Sequence, residues 1–241
     1  MEDSNDQTMV WQGKNVQVTI LHSKAGVAQQ VWISNDIGSI LIDAGDGALR
    51  DILSNNLDLH QLRGILITHG HFDHMGGLYS ILCYLRMIGR QELLTIFIPP
   101  DCMEVLAIVD DFKRFYQDTI PFIIVCYELQ PREKFHSADM EVEPFPMVHC
   151  GSIEDKGILD QIPAMGYRIT YKNETIAITG DTGTEADLKE FVTGVDLAII
   201  DATYKDIENL DLAYLRKVHL SEKYAEGLGK LAKKHILVHR G

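Results

Sequence analysis

The chain has 241 residues, of which 46% are hydrophobic and 24% are charged, a composition typical of folded globular proteins and unlike that of fibrous or disordered ones. Its 22 basic and 35 acidic side chains give a net charge of −13, which disfavours non-specific binding to nucleic acids or anionic membranes. The length and the even composition predict one domain over residues 1–241.

Strand and helix patterns alternate through the first half of the chain. Short β-rich runs open it, and Ser39–Ile42 is an apolar strand that ends in an acid and glycine turn. The predicted strands are Val16–Leu21, Val31–Ile33, Ser39–Ile42, Gly64–Thr68, Leu93–Ile98 and Phe122–Tyr127. The predicted helices are Leu49–Leu57, Gly77–Ile88 and Cys102–Phe115.

The second half repeats this plan, with β-rich segments first and helices later. Its predicted extended segments are Met140–Val148, Tyr167–Thr179 (two strands joined at Lys172–Glu174), Leu197–Asp201 and His235–His239, and its predicted helices are Asp187–Val192 and Ser221–Lys234. Two such halves predict an α/β fold: a four-layer αβ/βα sandwich, in which two mixed sheets pack face to face with helices outside.

The cysteines and the amino terminus indicate the cellular compartment in which the protein is expected. Cys83, Cys102, Cys126 and Cys150 are scattered singly, which favours reduced thiols over a disulfide framework. Met1–Thr8 has no basic segment before an apolar stretch, and no run approaches the ~20 apolar residues of a membrane span. We therefore expect a cytoplasmic protein that does not bind membranes.

A dense histidine cluster follows the strand Gly64–Thr68. His69, His71, Asp73 and His74 fall within six residues, and their nitrogen and oxygen atoms suit zinc, manganese or iron. Residues 69, 71 and 73 alternate, so an extended backbone would point them to one side. The cluster predicts a metal site.

Further candidates occupy the ends of other predicted strands. His149, Asp181 and His239 each follow an apolar run, where functional loops are commonly found. Alone, the first cluster is also compatible with a closed structural site, and each later residue with a surface or hydrogen-bonded role. Together they favour a larger metal centre.

With these motifs, the chain resembles the metallo-β-lactamase-fold hydrolases, and specifically the phosphodiesterase branch that includes ribonuclease Z, although without that enzyme's extended arm. The resemblance implies two divalent ions, with zinc expected and manganese or iron as alternatives. It implies one metal held by His69, His71 and His149, a second held by Asp73, His74 and His239, and Asp181 bridging both. Asp43 matches the first motif of the superfamily and would orient a ligand histidine.

The branch assignment depends on two later segments. Asp201-Ala202-Thr203 is similar to a ribonuclease Z run in which a glutamate precedes Ala-Thr, and Val218-His219-Leu220-Ser221 lies where the family has His-Ser-Thr. The resemblance implies that His219 donates a proton, that Asp201 orients it, and that Asp73 belongs to the catalytic set as well as to the ligands. Two cations about 3.5–4 Å apart can share a hydroxide and direct it at phosphorus.

The expected reaction is hydrolysis of small or cyclic phosphodiesters. Only 31 residues, 150–180, separate His149 from Asp181, too few for the arm with which ribonuclease Z grips transfer RNA, so long nucleic acids are not expected partners. The alternatives are a ribonuclease Z-like RNA 3′-processing endonuclease, an acyl hydrolase of thioesterase, lactonase or β-lactamase type, and a non-catalytic scaffold. The resemblance also implies a homodimer. The sequence does not identify the natural substrate.

Overall fold

Two large mixed β-sheets organise the protein in the computed structural model, which describes residues 8–205 and 211–241. The chain divides into two compact units, one built from residues up to 129 with 137–139 and the other from 130–136 and 140–241. The α/β fold class with two mixed sheets is confirmed. The assignment of both units to a single domain stays a prediction.

The first unit is built on a seven-stranded sheet whose strands lie side by side in chain order. β1 to β4 form an antiparallel meander, and β4 to β7 are parallel, with helices in the connections. The strands are β1 (Met9–Gln12), β2 (Gln17–Lys24), β3 (Ala28–Ser34), β4 (Ser39–Ile42), β5 (Leu62–Leu66), β6 (Leu94–Ile98) and β7 (Ile124–Glu128). The helices are α1 (Ala48–Ser54), a 3₁₀ turn (Leu59–Gln61), α2 (Phe72–Met75), α3 (Leu78–Met87) and α4 (Met103–Tyr116).

An apolar core joins the helices of this unit to one face of its sheet. Ile81, Leu85 and Phe112 from α3 and α4 are fully buried with Ile65 and Ile96 from β5 and β6. β5 and β6 are buried at nearly every position, and parallel strands buried in this way have nearly continuous apolar sequences, which is why the sequence predicted them. The strand β1 was not predicted.

The second unit is built on a six-stranded sheet in the order β15-β14-β13-β12-β9-β8. Its strands are β8 (Phe135–Ser137), β9 (Met140–Pro146), β12 (Met165–Tyr171), β13 (Glu174–Ile178), β14 (Leu197–Asp201) and β15 (His235–Val238), and its helices are α5 (Leu188–Val192), α6 (Leu212–Lys217) and α7 (Glu222–Gly229). Leu188, Phe191 and Leu228 pack on Ala198 and Ile200 of the sheet. Ser221 caps α7, and the helix ends at Gly229 rather than at the predicted Lys234.

A separate antiparallel hairpin leaves this unit between β9 and β12. It consists of β10 (His149–Ile153) and β11 (Gly157–Ile162), which pair only with each other. Most of its side chains beyond the buried residues at positions 149–151 are exposed or half-exposed. The sequence predicted no strand between Val148 and Tyr167, so this hairpin was missed.

None of the described helices is long and apolar enough to cross a membrane. Residues 1–7, on which the absence of an export signal was predicted, lie outside the described part of the chain.

Candidate functional site

The first group of predicted site residues lies at the carboxyl end of β5. His69 and His71 follow the strand, His71 is the N-cap of α2, and Asp73 and His74 lie within this helical turn. The expectation of an extended backbone through residue 73 is wrong. The backbone N–H of His74 donates to the carbonyl of His71 at 3.0 Å, so the chain turns into a helix at Phe72.

Asp43, at the end of β4, holds this turn in place. Its carboxylate accepts hydrogen bonds from the N–H of Thr68 at 2.7 Å and from the Thr68 hydroxyl at 2.9 Å, and it lies 2.7 Å from Nδ1 of His74. Burial raises the pKa of Asp43 above its usual value, although His74 opposes this rise. A carboxylate on Nδ1 directs the other ring nitrogen, Nε2, toward a ligand.

Two glycines allow the backbone segments of this group to approach each other. A Cβ at Gly45 would lie 2.2 Å from the carbonyl oxygen of Asp73, and one at Gly77 would lie 2.3 Å from the carbonyl oxygen of Gly45. Any side chain at either position would displace the turn that carries Asp73 and His74.

The His69 and His71 side chains face each other. Nε2 of His69 lies 3.0 Å from Nδ1 of His71. Two nitrogens bound to one tetrahedral zinc at about 2.0–2.1 Å would be about 3.3 Å apart. Asp73 Oδ2 accepts a hydrogen bond from the N–H of Gly26 at 2.9 Å, which fixes one carboxylate oxygen.

The second group lies at strand ends of the second unit. His149 opens β10, Asp181 follows β13, Asp201 ends β14, and His239 follows β15. These four side chains are at most 3% exposed. His219, on the loop between α6 and α7, is the fifth member and is partly exposed.

His149 is oriented by a hydrogen bond to the backbone. Its Nδ1 lies 2.8 Å from the carbonyl oxygen of Val218, and because a carbonyl oxygen can only accept, Nδ1 carries the proton. Its other ring nitrogen, Nε2, is the one available to a metal, and it lies 3.8 Å from Oδ2 of Asp181.

Both carboxylate oxygens of Asp201 accept hydrogen bonds. Oδ2 accepts from the N–H groups of Thr182 and Leu220, each at 3.3 Å, and lies 3.0 Å from Nδ1 of His219. Oδ1 accepts from the N–H and hydroxyl of Thr203 at 3.2 and 2.7 Å. With both oxygens occupied, Asp201 is placed to orient His219 rather than to bind a ligand.

His219 is held between aromatic rings as well as by Asp201. The rings of His149 and His239 each lie 5.2 Å from it, and the Tyr204 ring contacts it edge to face at 5.7 Å. Burial and the nearby Asp201 raise the pKa of Tyr204 above its ordinary value, so its phenol stays protonated.

Asp181 and His239 complete this group. Nδ1 of His239 lies 3.4 Å from Oδ1 of Asp181 and 3.1 Å from the Thr203 hydroxyl. His239 has a positive φ of 56°, which is uncommon for a residue with a side chain. One potential ligand atom from each of Asp181, Asp201, His219 and His239 lies within 4.8 Å of the other three.

Each predicted site residue thus lies in one of two clusters, one in each unit. The first unit holds His69, His71, Asp73 and His74, and the second holds His149, Asp181, Asp201, His219 and His239. Sequence reasoning did not single out the roles of Thr68, Thr203 and Tyr204. Thr68 and Thr203 occupy corresponding places, since each bonds both a strand-end aspartate and a histidine.

The donor set of each cluster fits divalent metal ions. All predicted ligands are imidazole or carboxylate groups, and His74 and His149 present a second nitrogen that is already bonded to a carboxylate or a carbonyl. That pattern is typical of metal-binding histidines.

Comparison with known proteins identifies the family. Residues 39–239 match the family model described as "Beta-lactamase superfamily domain". A ribonuclease Z of Acaryochloris marina is 30% identical over 165 residues, covering 64% of this chain and 47% of that protein, so the chain spans about half the length of this relative.

Two solved structures share the fold. Human tRNase Z, short form, superposes with a TM-score of 0.74 at 22% identity and covers 92% of both chains. The metallo-β-lactamase-fold protein YhfI from Bacillus subtilis gives a TM-score of 0.73 at 17% identity, covering 94% of this chain and 87% of its own. With the family model matching most of its length, the chain belongs to the beta-lactamase superfamily domain family.

Proposed function

We propose that this protein is a metal-dependent phosphodiesterase that hydrolyses small or cyclic phosphodiesters. The observation that carries the proposal is the His219–Asp201 pair, held at 3.0 Å beside Asp181. A histidine oriented by a buried carboxylate suits protonation of a leaving alkoxide. Hydrolases that attack a carbonyl carbon generally do not need this pair.

The two clusters would together hold two divalent ions, with zinc as the expected metal and manganese or iron as alternatives. We assign His69, His71 and His149 to one ion, Asp73, His74 and His239 to the other, and Asp181 to both. The support is the donor chemistry of each cluster and the membership of the family. When bound, such ions supply Lewis acidity and a nucleophile at neutral pH.

The residues of the chain then have separate tasks. Asp201 holds Nδ1 of His219, which leaves Nε2 to donate a proton to the departing oxygen of the ester. Asp43 and the Val218 carbonyl fix the ring orientations of His74 and His149. Because groups of the protein itself make these contacts, the fold fixes the orientation of each ring before the reaction.

The negative charge of the protein favours a small substrate over a long nucleic acid. Long RNA requires many contacts between phosphates and basic side chains, whereas the chain carries −13. The exposed β10–β11 hairpin has three acidic side chains and one basic one: Glu154, Asp155, Asp160 and Lys156. A small diester needs few such contacts because the metal site itself can supply the positive charge.

RNA 3′ processing of the ribonuclease Z type is the second candidate, because curated relatives carry that name. Cytoplasmic location and a homodimer remain further proposals. The scattered spacing of the four cysteines along the sequence favours a reducing compartment.

Metal content tests the assignment of the ligands. Purified protein reconstituted with zinc or manganese should bind close to two ions per chain by elemental analysis. Asp181→Ala should deplete both ions because its carboxylate is assigned to both, whereas His239→Ala should mainly weaken one. Wild-type protein that never exceeds one ion would contradict the dinuclear proposal.

Leaving-group dependence tests the role of His219. His219→Ala should lower turnover of a diester with a poor leaving group about 10²–10⁴-fold, should affect bis-nitrophenyl phosphate less, and should retain its metals. His235→Ala is the matched control, because His235 pairs with Glu226 outside both clusters. Equal losses on both diesters would mean that His219 only positions substrate.

A substrate panel separates the candidate functions. One metal-loaded preparation is assayed with bis-nitrophenyl phosphate, a cyclic nucleotide, precursor transfer RNA, a thioester and a lactone. We expect hydrolysis of the small diesters and weak or absent RNA cleavage. Efficient RNA processing without small-diester activity would favour the second candidate, and preferential thioester or lactone cleavage would favour an acyl hydrolase.

A further inference from the structure

A cavity in the second unit lies beside α7, outside the clusters described above. Its volume is about 510 Å³, within the usual range of about 300–1,000 Å³ for small-molecule sites. None of the predicted metal ligands, and neither Asp201 nor His219, lines it.

Most of the cavity wall is apolar. Leu215 of α6, Leu228 of α7 and Leu231 line it, and Leu231 is 41% exposed. A Cβ at Gly227 would have no atom within 4 Å. The cavity therefore offers open apolar space directly above the α7 backbone.

The charged residues that line the cavity are both lysines, Lys189 and Lys223. Within the described residues, no ion-pair partner lies within 4 Å of either ammonium, whereas Lys134 and Lys233 each pair with a carboxylate at 2.7 Å. Both lysines are exposed, so they place two solvent-accessible positive charges at the apolar cavity in a chain of net charge −13.

We propose that this cavity binds an amphipathic monoanion, a carboxylate with an aliphatic or aromatic tail. The tail would replace water against the leucines, where apolar burial is favourable, and the carboxylate would pair with Lys189 and Lys223. This binding does not depend on the function proposed above, because it uses none of the residues assigned to metal or proton transfer.

Titration calorimetry with octanoate tests the proposal. A ligand of this size should bind with a Kd of about 10⁻⁴–10⁻³ M. Octanol has the tail without the charge and acetate has the charge without the tail, so each should bind at least about tenfold more weakly. Octanol that binds as tightly as octanoate would refute the anionic part of the proposal.

Three variants locate the site. Lys189→Gln combined with Lys223→Gln should weaken octanoate binding about tenfold or more, whereas Lys230→Gln, an exposed lysine at the end of α7 that does not line the cavity, should not. Gly227→Leu should fill the cavity and abolish binding while the thermal transition is retained. No binding of octanoate to the wild type, or undiminished binding to Gly227→Leu, would overturn the proposal.

Discussion

Replacement of Arg90 should destabilise the first unit more than any exposed arginine does. Arg90 is fully buried, and its guanidinium donates to backbone carbonyls in the two segments that lead into β5 and β6. Nη1 donates to Leu59 at 2.7 Å, Nη2 donates to Leu62 and to Leu93, and Nε donates to Glu92 at 3.2 Å. One side chain therefore fastens the start of β5 to the start of β6.

Arg90→Met isolates the hydrogen bonds, because methionine retains most of the side-chain length and apolar volume. Each hydrogen bond from a charged donor contributes about 1.5–3 kcal/mol, so loss of the two shortest amounts to about 3–6 kcal/mol. Methionine carries no charge, so the variant does not incur the desolvation penalty of a buried guanidinium. In the wild type, burial of this charge lowers the pKa of Arg90. We expect a net loss of about 2–4 kcal/mol in the free energy of unfolding, a large part of the usual 5–15 kcal/mol.

Urea unfolding followed by circular dichroism measures this loss. Arg50→Met is the matched control, because the Arg50 side chain is 69% exposed and pairs with neighbouring Asp51, so its cost should stay within about 0.5 kcal/mol. Arg90→Lys should fall between the two, since lysine keeps the charge but not the forked donor geometry. A free energy of unfolding for Arg90→Met within about 1 kcal/mol of the wild-type value would refute the reasoning. The hydrogen bonds of Arg90 would then do no more than offset the desolvation penalty of its charge.

Two further predictions concern the second cluster and the cysteines. Tyr204→Ala should reproduce part of the leaving-group-selective loss of His219→Ala, and Tyr204→Phe should restore the rate, because the edge of the ring contacts His219; an equal loss in both variants would assign the effect to the hydroxyl. Burial raises the pKa of Cys102 to about 12, so at pH 8 only about one thiol in 10⁴ is ionised and native Cys102 should react about 10³-fold more slowly with a disulfide reagent than in urea. Comparable rates in the two states, measured by mass spectrometry of labelled peptides, would show that Cys102 is accessible.

The sequence was most informative where strands are covered by helices. Gly64–Ile67 and Leu197–Ile200 are continuous apolar runs that end next to polar site residues, so both the strands and the candidate ligands at their ends could be predicted from the sequence. The hairpin β10–β11 was missed because exposed polar residues such as Asp160 and Gln161 interrupt the apolar alternation of β11. Hydrophobic patterns reveal strands with a buried face, and most side chains of this hairpin are exposed or half-exposed.

The His69–His74 segment shows a second limit. Its composition was sufficient to predict a metal site, but alternation was a poor guide to backbone shape, because α2 starts at Phe72. The turn is determined by contacts from distant residues, namely Gly45 against the Asp73 backbone and Asp43 against His74. Such contacts join residues that are distant in the sequence, so a local sequence pattern cannot reveal them.

The β10–β11 hairpin also bears on how this protein can diverge. Its strands pair only with each other, so residues added at the tip, between Ile153 and Gly157, would leave the register of the six-stranded sheet intact. Doubling a loop costs only about 0.6 kcal/mol in closure entropy. His149 at its base stays anchored by the Val218 carbonyl. The hairpin is thus a position where residues can be inserted or deleted without displacing His149 or the six-stranded sheet.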